Sequence, residues 1–139
     1  MTDLETGRAD GRPTREVIVP ANRRSAPRAY SPATAFGGLV FSSGLTAAHP
    51  VTGEIPAGIE AQTRRCFEKL ADILAEAGTS LDQVLRVTVY LTDIAAQQAP
   101  MTAVFREVFP VDPPARATVQ VAALSGADKL IEIDAIAAR

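Results

Sequence analysis

One stretch constrains the fold more than any other. From Gly58 to Ala77, the residues Ile59, Thr63, Cys66, Phe67, Leu70, Ile73, Leu74 and Ala77 recur at intervals of three and four. That spacing stacks them on one face of an α-helix. Arg64, Arg65, Glu68, Lys69, Asp72 and Glu76 fall largely off that face, and Gly78 stands where a left-handed residue ends a helix. A helix with one apolar side must lie against something, and the flanking sequence supplies a sheet. Val84–Leu91 alternates, so Leu85, Val87, Val89 and Leu91 are expected in the core and Arg86, Thr88 and Tyr90 elsewhere. Asp93 opens a second helical stretch at 95–109, with Met101, Val104, Phe105 and Val108 inward and Pro110 as its stop. Further strands are expected at Glu16–Val19, Leu39–Ser43, Ala117–Leu124 and Leu130–Ala137. Ser125–Asp128 suits a hairpin between the last two.

The order ββαβαββ is α+β: a single domain with one mixed sheet and two helices on one face. Residues 1–14 read as a disordered tail and 15–139 as the domain. Two helices cover only one face, so the other is either solvated or buried against another chain. The residues expected there are Thr118, Gln120, Ala122 and Leu124 on one strand and Arg86, Thr88 and Tyr90 on another. Small apolar groups among polar ones suit a subunit interface better than bare surface.

Composition narrows the class. With 139 residues there is room for one core. No window has the roughly 18 consecutive apolar residues of a membrane span. The polar start MTDLETGRADGR lacks the apolar centre of a secretory signal. The single cysteine rules out an intrachain disulfide, and with one histidine it leaves little for a zinc site, so no metal is expected. A cytoplasmic location is the expectation. The net charge of −2 gives no general attraction to nucleic acid, although six of the fourteen basic residues lie within residues 1–28.

Three positions offer chemistry. Arg116 follows Pro113-Pro114-Ala115 at the mouth of a strand, and its planar fork suits a carboxylate or phosphate. The spacing alone equally allows an exposed arginine in a surface ion pair. Glu132 and Asp134 lie on the strand face opposite Ile131, Ile133, Ala135 and Ala137. If the last two strands are neighbours, Glu132 shares a face with Arg116 and Thr118. A carboxylate there could move protons for a bound water, or it could be one more solvated strand residue. Ser43-Gly44 ends a strand where a glycine would open the backbone to a ligand. Tyr30 could wall a small pocket or only anchor its loop. His49 reads as a loop residue and Cys66 as core.

Ala29-Tyr30-Ser31-Pro32-Ala33 with Leu39-Val40-Phe41-Ser42-Ser43-Gly44, then Thr52-Gly53-Glu54-Ile55-Pro56 and Ala61-Gln62-Thr63, resemble the opening and helix entry of the RidA/YjgF family, the reactive-intermediate deaminases. Pro114-Ala115-Arg116-Ala117-Thr118-Val119-Gln120-Val121 and Ile131-Glu132-Ile133-Asp134-Ala135-Ile136-Ala137 resemble its C-terminal signature. The resemblance covers about residues 27–138. It implies a chorismate-mutase-like fold and a homotrimer with clefts at the subunit interfaces. It also implies hydrolysis of 2-imino acids or enamines to 2-oxo acids and ammonia, without a cofactor. Arg116 matches the residue that holds the substrate carboxylate, and Glu132 matches the one that positions and activates water. Tyr30, Ser43 and Gly44 match pocket residues. Thr118 stands where many members have cysteine, Thr102 where the best-known members have asparagine, and Leu45 where they have glutamine. These changes imply a less polar pocket and a substrate that is bulkier or specific to one pathway. The competing readings are a non-catalytic trimer that binds a carboxylate metabolite and an RNA-directed nuclease or translation inhibitor.

Overall fold

A computed structural model describes residues 8–24 and 27–139. The elements are β1 (Glu16–Ile18), β2 (Ala33–Phe36), β3 (Leu39–Ser42), β4 (Leu45–Thr46), α1 (Ile59–Glu76), β5 (Val84–Leu91), α2 (Ile94–Val108), β6 (Ala115–Gln120) and β7 (Ile131–Ala138). All seven strands form one sheet in the order β1-β2-β3-β7-β5-β6, and the short β4 also pairs with β7. Only β5 and β6 run parallel. Both helices lie on one face, as the pattern requires. Of the expected tail, residues 1–7 lie outside those described, and Arg8–Arg12 form a hydrogen-bonded turn.

The core is the seam between that face and the helices. Cys66, Phe67, Leu70, Ile73 and Leu74 of α1 and Met101 and Phe105 of α2 are buried against Val40, Leu45, Val87, Val89, Leu91, Ile131, Ile133, Ala135 and Ala137. Phe67 meets Phe105 and Phe109 edge to face at 5.8 and 5.4 Å, which pins α1 to α2. Gly78 has φ 82°, the left-handed value expected beyond the end of α1. Asp93 caps α2 by accepting from the Ala96 N–H, while Gln97 returns a bond to the Asp93 N–H.

Four expectations need correction. Ala33–Phe36, which is not among the strands expected from the sequence, is a full strand paired on both sides. Leu85 is not core: it is 49% exposed and Val84 is buried in its place. A bulge explains this, because Val84 pairs with Ala137 and Arg86 with the adjacent Ile136, so Leu85 has no partner. The last two strands are not a hairpin. The α2 crossover lays β6 parallel to β5, and β7 enters on the other side of β5, so the two never touch. Finally, Thr118 pairs with Val89 and Gln120 with Leu91, which puts both on the helix-facing side. Ala122 and Leu124 lie beyond β6.

The uncovered face instead carries Val17, Phe36, Leu39, Phe41 and Val119, each 39% to 52% exposed in the single chain. Thr88, Tyr90, Glu132 and Asp134 share that face.

Candidate active site

The two residues with the best claim to chemistry lie on opposite faces of the sheet. Arg116 pairs in register with the buried Val87, so it points to the helix side at the outer edge. Its guanidinium carbon sits 4.7 Å from the centroid of the Phe105 ring, and Nη1 lies 3.9 Å from Met101 Sδ. The aromatic cluster that joins the helices is therefore also the platform for this cation. Burial and then the charge of Arg106 lower its pKa from the usual value, but an arginine stays protonated even so. Among the described residues no carboxylate pairs with it. Thr118 follows two residues on along the same face, and Thr102 adjoins Met101 on α2. Of these three residues, Arg116 and Thr118 share the helix-facing side of β6, and Thr102 lies on α2 beside the Met101 that Arg116 touches.

Glu132 is on the opposite side of the sheet. It lies between the buried Ile131 and Ile133, so it projects from the uncovered face, with Thr46 opposite on one side and Tyr90 on the other. Its carboxylate packs directly over Gly44: a β-carbon built there would lie 2.0 Å from Glu132 Oε1 and 2.9 Å from Cδ. Gly44 is needed to leave that space. Ser43 spends its hydroxyl proton on the Ser31 carbonyl at 2.5 Å and its N–H on Pro32 at 2.8 Å, which ties down the loop that carries Tyr30. Tyr30 itself is 64% exposed. So Glu132 meets Gly44 directly, and Ser43 beside it anchors the loop that carries Tyr30.

Within one chain Arg116 and Glu132 cannot meet. Glu132 is opposite Tyr90, which is opposite Val119, whereas Arg116 is three residues earlier on β6. Two strand spacings of about 4.8 Å and three rises of about 3.3 Å separate the backbones, and the side chains leave from opposite faces. Glu132 therefore does not share a face with Arg116 and Thr118.

Comparisons with known proteins show the family and the fold. The family described as Endoribonuclease L-PSP matches residues 21–139. The chain belongs to the RidA/YjgF family. A RutC family protein of Pyrococcus horikoshii is 43% identical over 124 residues, covering 88% of this chain and 97% of the relative. TdcF of Escherichia coli, named as a candidate reactive intermediate deaminase, is 38% identical over 106 residues, covering 74% and 81%. A crystal structure of that protein with bound serine superposes with a TM-score of 0.81 at 34% identity, over 89% of this chain and 98% of TdcF. YyfA of Yersinia pestis, from the conserved Rid family, gives a TM-score of 0.83 at 33% identity, over 91% and 100%.

Several residues brace these strands through bonds that the sequence reading did not foresee. Gln62 is buried, donates to the Pro56 and Asp128 carbonyls and accepts from the Leu130 N–H. It thereby fixes the entry of β7 two residues before Glu132. Ser42 accepts from the Ala135 N–H, joining β3 to β7. Tyr90 donates to Asp134 Oδ2 at 2.7 Å, a bond that raises the phenol's pKa. Leu45 is 2% exposed and faces the helices, so it cannot set the polarity of a pocket on the Glu132 side. Cys66 is core as expected, with its thiol pushed up to about 12 chiefly by burial. His49 Nδ1 accepts from the Val51 and Thr52 N–H groups and serves its turn. No helix is long and apolar enough to cross a membrane among the described residues.

Proposed function

We propose that this chain hydrolyses small 2-imino acids or enamines to 2-oxo acids and ammonia. The active form is a homotrimer in which Arg116 and Glu132 of neighbouring copies converge. One observation carries the reading: Arg116 is a half-buried guanidinium, seated on an aromatic ring, with no anion paired to it among the described residues. A fixed cation without a counter-charge is poised for a carboxylate, which it can grip with two parallel hydrogen bonds. The apolar residues of the uncovered sheet face supply a surface on which copies could associate.

The chemistry needs little else. The C=N carbon is already electrophilic, so positioning and proton handling suffice. Water adds to that carbon while Glu132 takes its proton and passes it to nitrogen, which gives a carbinolamine. The remaining hydroxyl proton then reaches nitrogen by the same carboxylate, the C–N bond breaks, and ammonia leaves the 2-oxo acid. Gly44 keeps room for the carboxylate, and Tyr30 walls the cleft. Thr102 and Thr118 line the Arg116 half with hydroxyls.

The test generates 2-imino acids in situ with an amino-acid oxidase and follows their decay. Wild type should speed the decay and Arg116→Ala should not. Equal decay with both, across several side chains, would overturn the proposal. A carboxylate-binding trimer without turnover would use the same lone guanidinium. It would show saturable binding of a 2-oxo acid and no acceleration.

A further inference from the structure

A second concentration of positive charge lies apart from Arg116. A cleft of about 300 Å³ is lined by Arg23, Arg28, Lys69 and Lys129 together with Tyr30 and His49. Its lining contains no carboxylate. The neighbouring Arg24 is satisfied by Glu76, but none of the four lining cations takes part in a salt bridge among the described residues. Lys69 is the floor of the cleft. Its ammonium donates to the Thr46 and Ala48 carbonyls at 2.7 and 2.8 Å, which spends two of its three protons and holds the head in place. His49 contributes a donor: Nδ1 accepts two backbone bonds, so in the neutral ring the proton sits on Nε2.

Holding four like charges around one small space is unfavourable unless something offsets them. The pKa of Lys69 is drawn down to about 8, chiefly by burial, with smaller contributions from the charges of Arg23, Lys129 and Arg65. One carboxylate would leave most of that charge uncompensated. A phosphate or diphosphate carries two or more negative charges and several acceptor oxygens, which suits separate point donors such as lysines as well as arginine forks.

We propose that this cleft binds a small molecule through a phosphate or diphosphate group, with Arg23, Arg28, Lys69 and Lys129 as its ligands. The site uses neither Arg116 nor Glu132 and shares only Tyr30 with the cleft proposed for imine hydrolysis, so an Arg116→Ala chain tells the two readings apart.

The full chain is titrated with inorganic pyrophosphate and with ADP by calorimetry, at fixed ionic strength. Saturable binding at one site per chain is expected. Arg28→Gln and Lys129→Gln, both on accessible side chains, should each weaken it roughly tenfold, the usual scale for a lost charge-assisted hydrogen bond. Lys69→Gln should weaken it at least as much. Arg116→Ala should bind pyrophosphate as wild type does. Absence of saturation by either probe overturns the inference, and so does equal affinity in the Arg28 and Lys129 variants. A short single-stranded RNA serves as the third arm. If RNA binds and pyrophosphate does not compete, the cleft is not a small-molecule site and the proposal fails.

Discussion

Gly44→Ala separates the position of the Glu132 carboxylate from the stability of the fold. The new methyl carbon would lie 2.0 Å from Oε1, and ordinary contact begins at 3.4 Å, so that oxygen must withdraw by about 1.4 Å. All three nearest atoms belong to the end of one flexible side chain, and Gly44 has no left-handed φ that alanine would resist. The carboxylate can therefore yield without moving the sheet, and the fold should lose no more than ~1 kcal/mol. The reaction is less tolerant. A displacement of about 1 Å at a reacting group costs on the order of 100-fold, and losing a proton-transfer group altogether costs about 10²–10⁴. The imine-decay assay should show a fall of at least about 100-fold, approaching that of Glu132→Ala. Because both changes act on one carboxylate, the double variant should be no worse than Glu132→Ala alone. Urea unfolding run alongside shows whether the chain is intact. A stable Gly44→Ala protein with wild-type turnover would show that the carboxylate over Gly44 is not where the reaction uses it.

Arg116→Lys keeps the charge but loses the planar fork, so it should recover only a small part of the activity lost in Arg116→Ala, seen mainly as a higher KM for carboxylate substrates. Arg116→Ala and Glu132→Ala chains, unfolded together and refolded as mixed trimers, should regain activity in about a quarter of their sites if each site draws its arginine and glutamate from different copies; no regain would place both in one chain or refute the pairing. Lys69 titrates near 8 in the fold against 10.5 when free, so between those values the unfolded chain binds the extra proton and stability rises with pH. Cys66 acts in the opposite direction from pH 9 to 12, which leaves pH 8–9 as the clean window. There the urea midpoint of wild type should rise relative to that of Lys69→Gln. The native Cys66 thiol, raised to about 12 and fully buried, should alkylate at pH 8 at least ~1,000-fold more slowly than in the unfolded chain.

The sequence made the helices and the β5 alternation from Val87 onward legible, because each rests on a local period. It misjudged what depends on partners far along the chain. Ala33–Phe36 has only four residues, and its small alanines are buried by β1 and β3 rather than by any pattern of their own. The bulge at Leu85 is a register shift against β7, which no alternation within β5 can reveal. The order of the last strands turns on the α2 crossover: it lays β6 parallel to one side of β5, and β7 pairs with the other side of β5, where a simple hairpin would have kept β7 beside β6. Gln62 matched a motif at the helix entry, but its three backbone bonds reach 66 and 68 residues away for two of their partners.

On the proposed reading, that strand order also links assembly to chemistry. Had β6 and β7 formed a hairpin, Arg116 and Glu132 could have met inside one chain, and a monomer could have held a complete site. Inserting β5 between them, with Arg116 turned to the helix face and Glu132 to the uncovered one, makes each chain the owner of two unlike halves. Closed symmetric assembly of identical copies can then match every arginine half with a carboxylate half. The apolar residues Val17, Phe36, Leu39, Phe41 and Val119 share the face from which Glu132 projects. Burying them against another copy would draw water off the same surface and strengthen any pairing between the carboxylate half and an incoming guanidinium. On this reading the uncovered sheet and the unpaired arginine are one design, and a chain altered to stay monomeric should fold yet fail to turn over substrate.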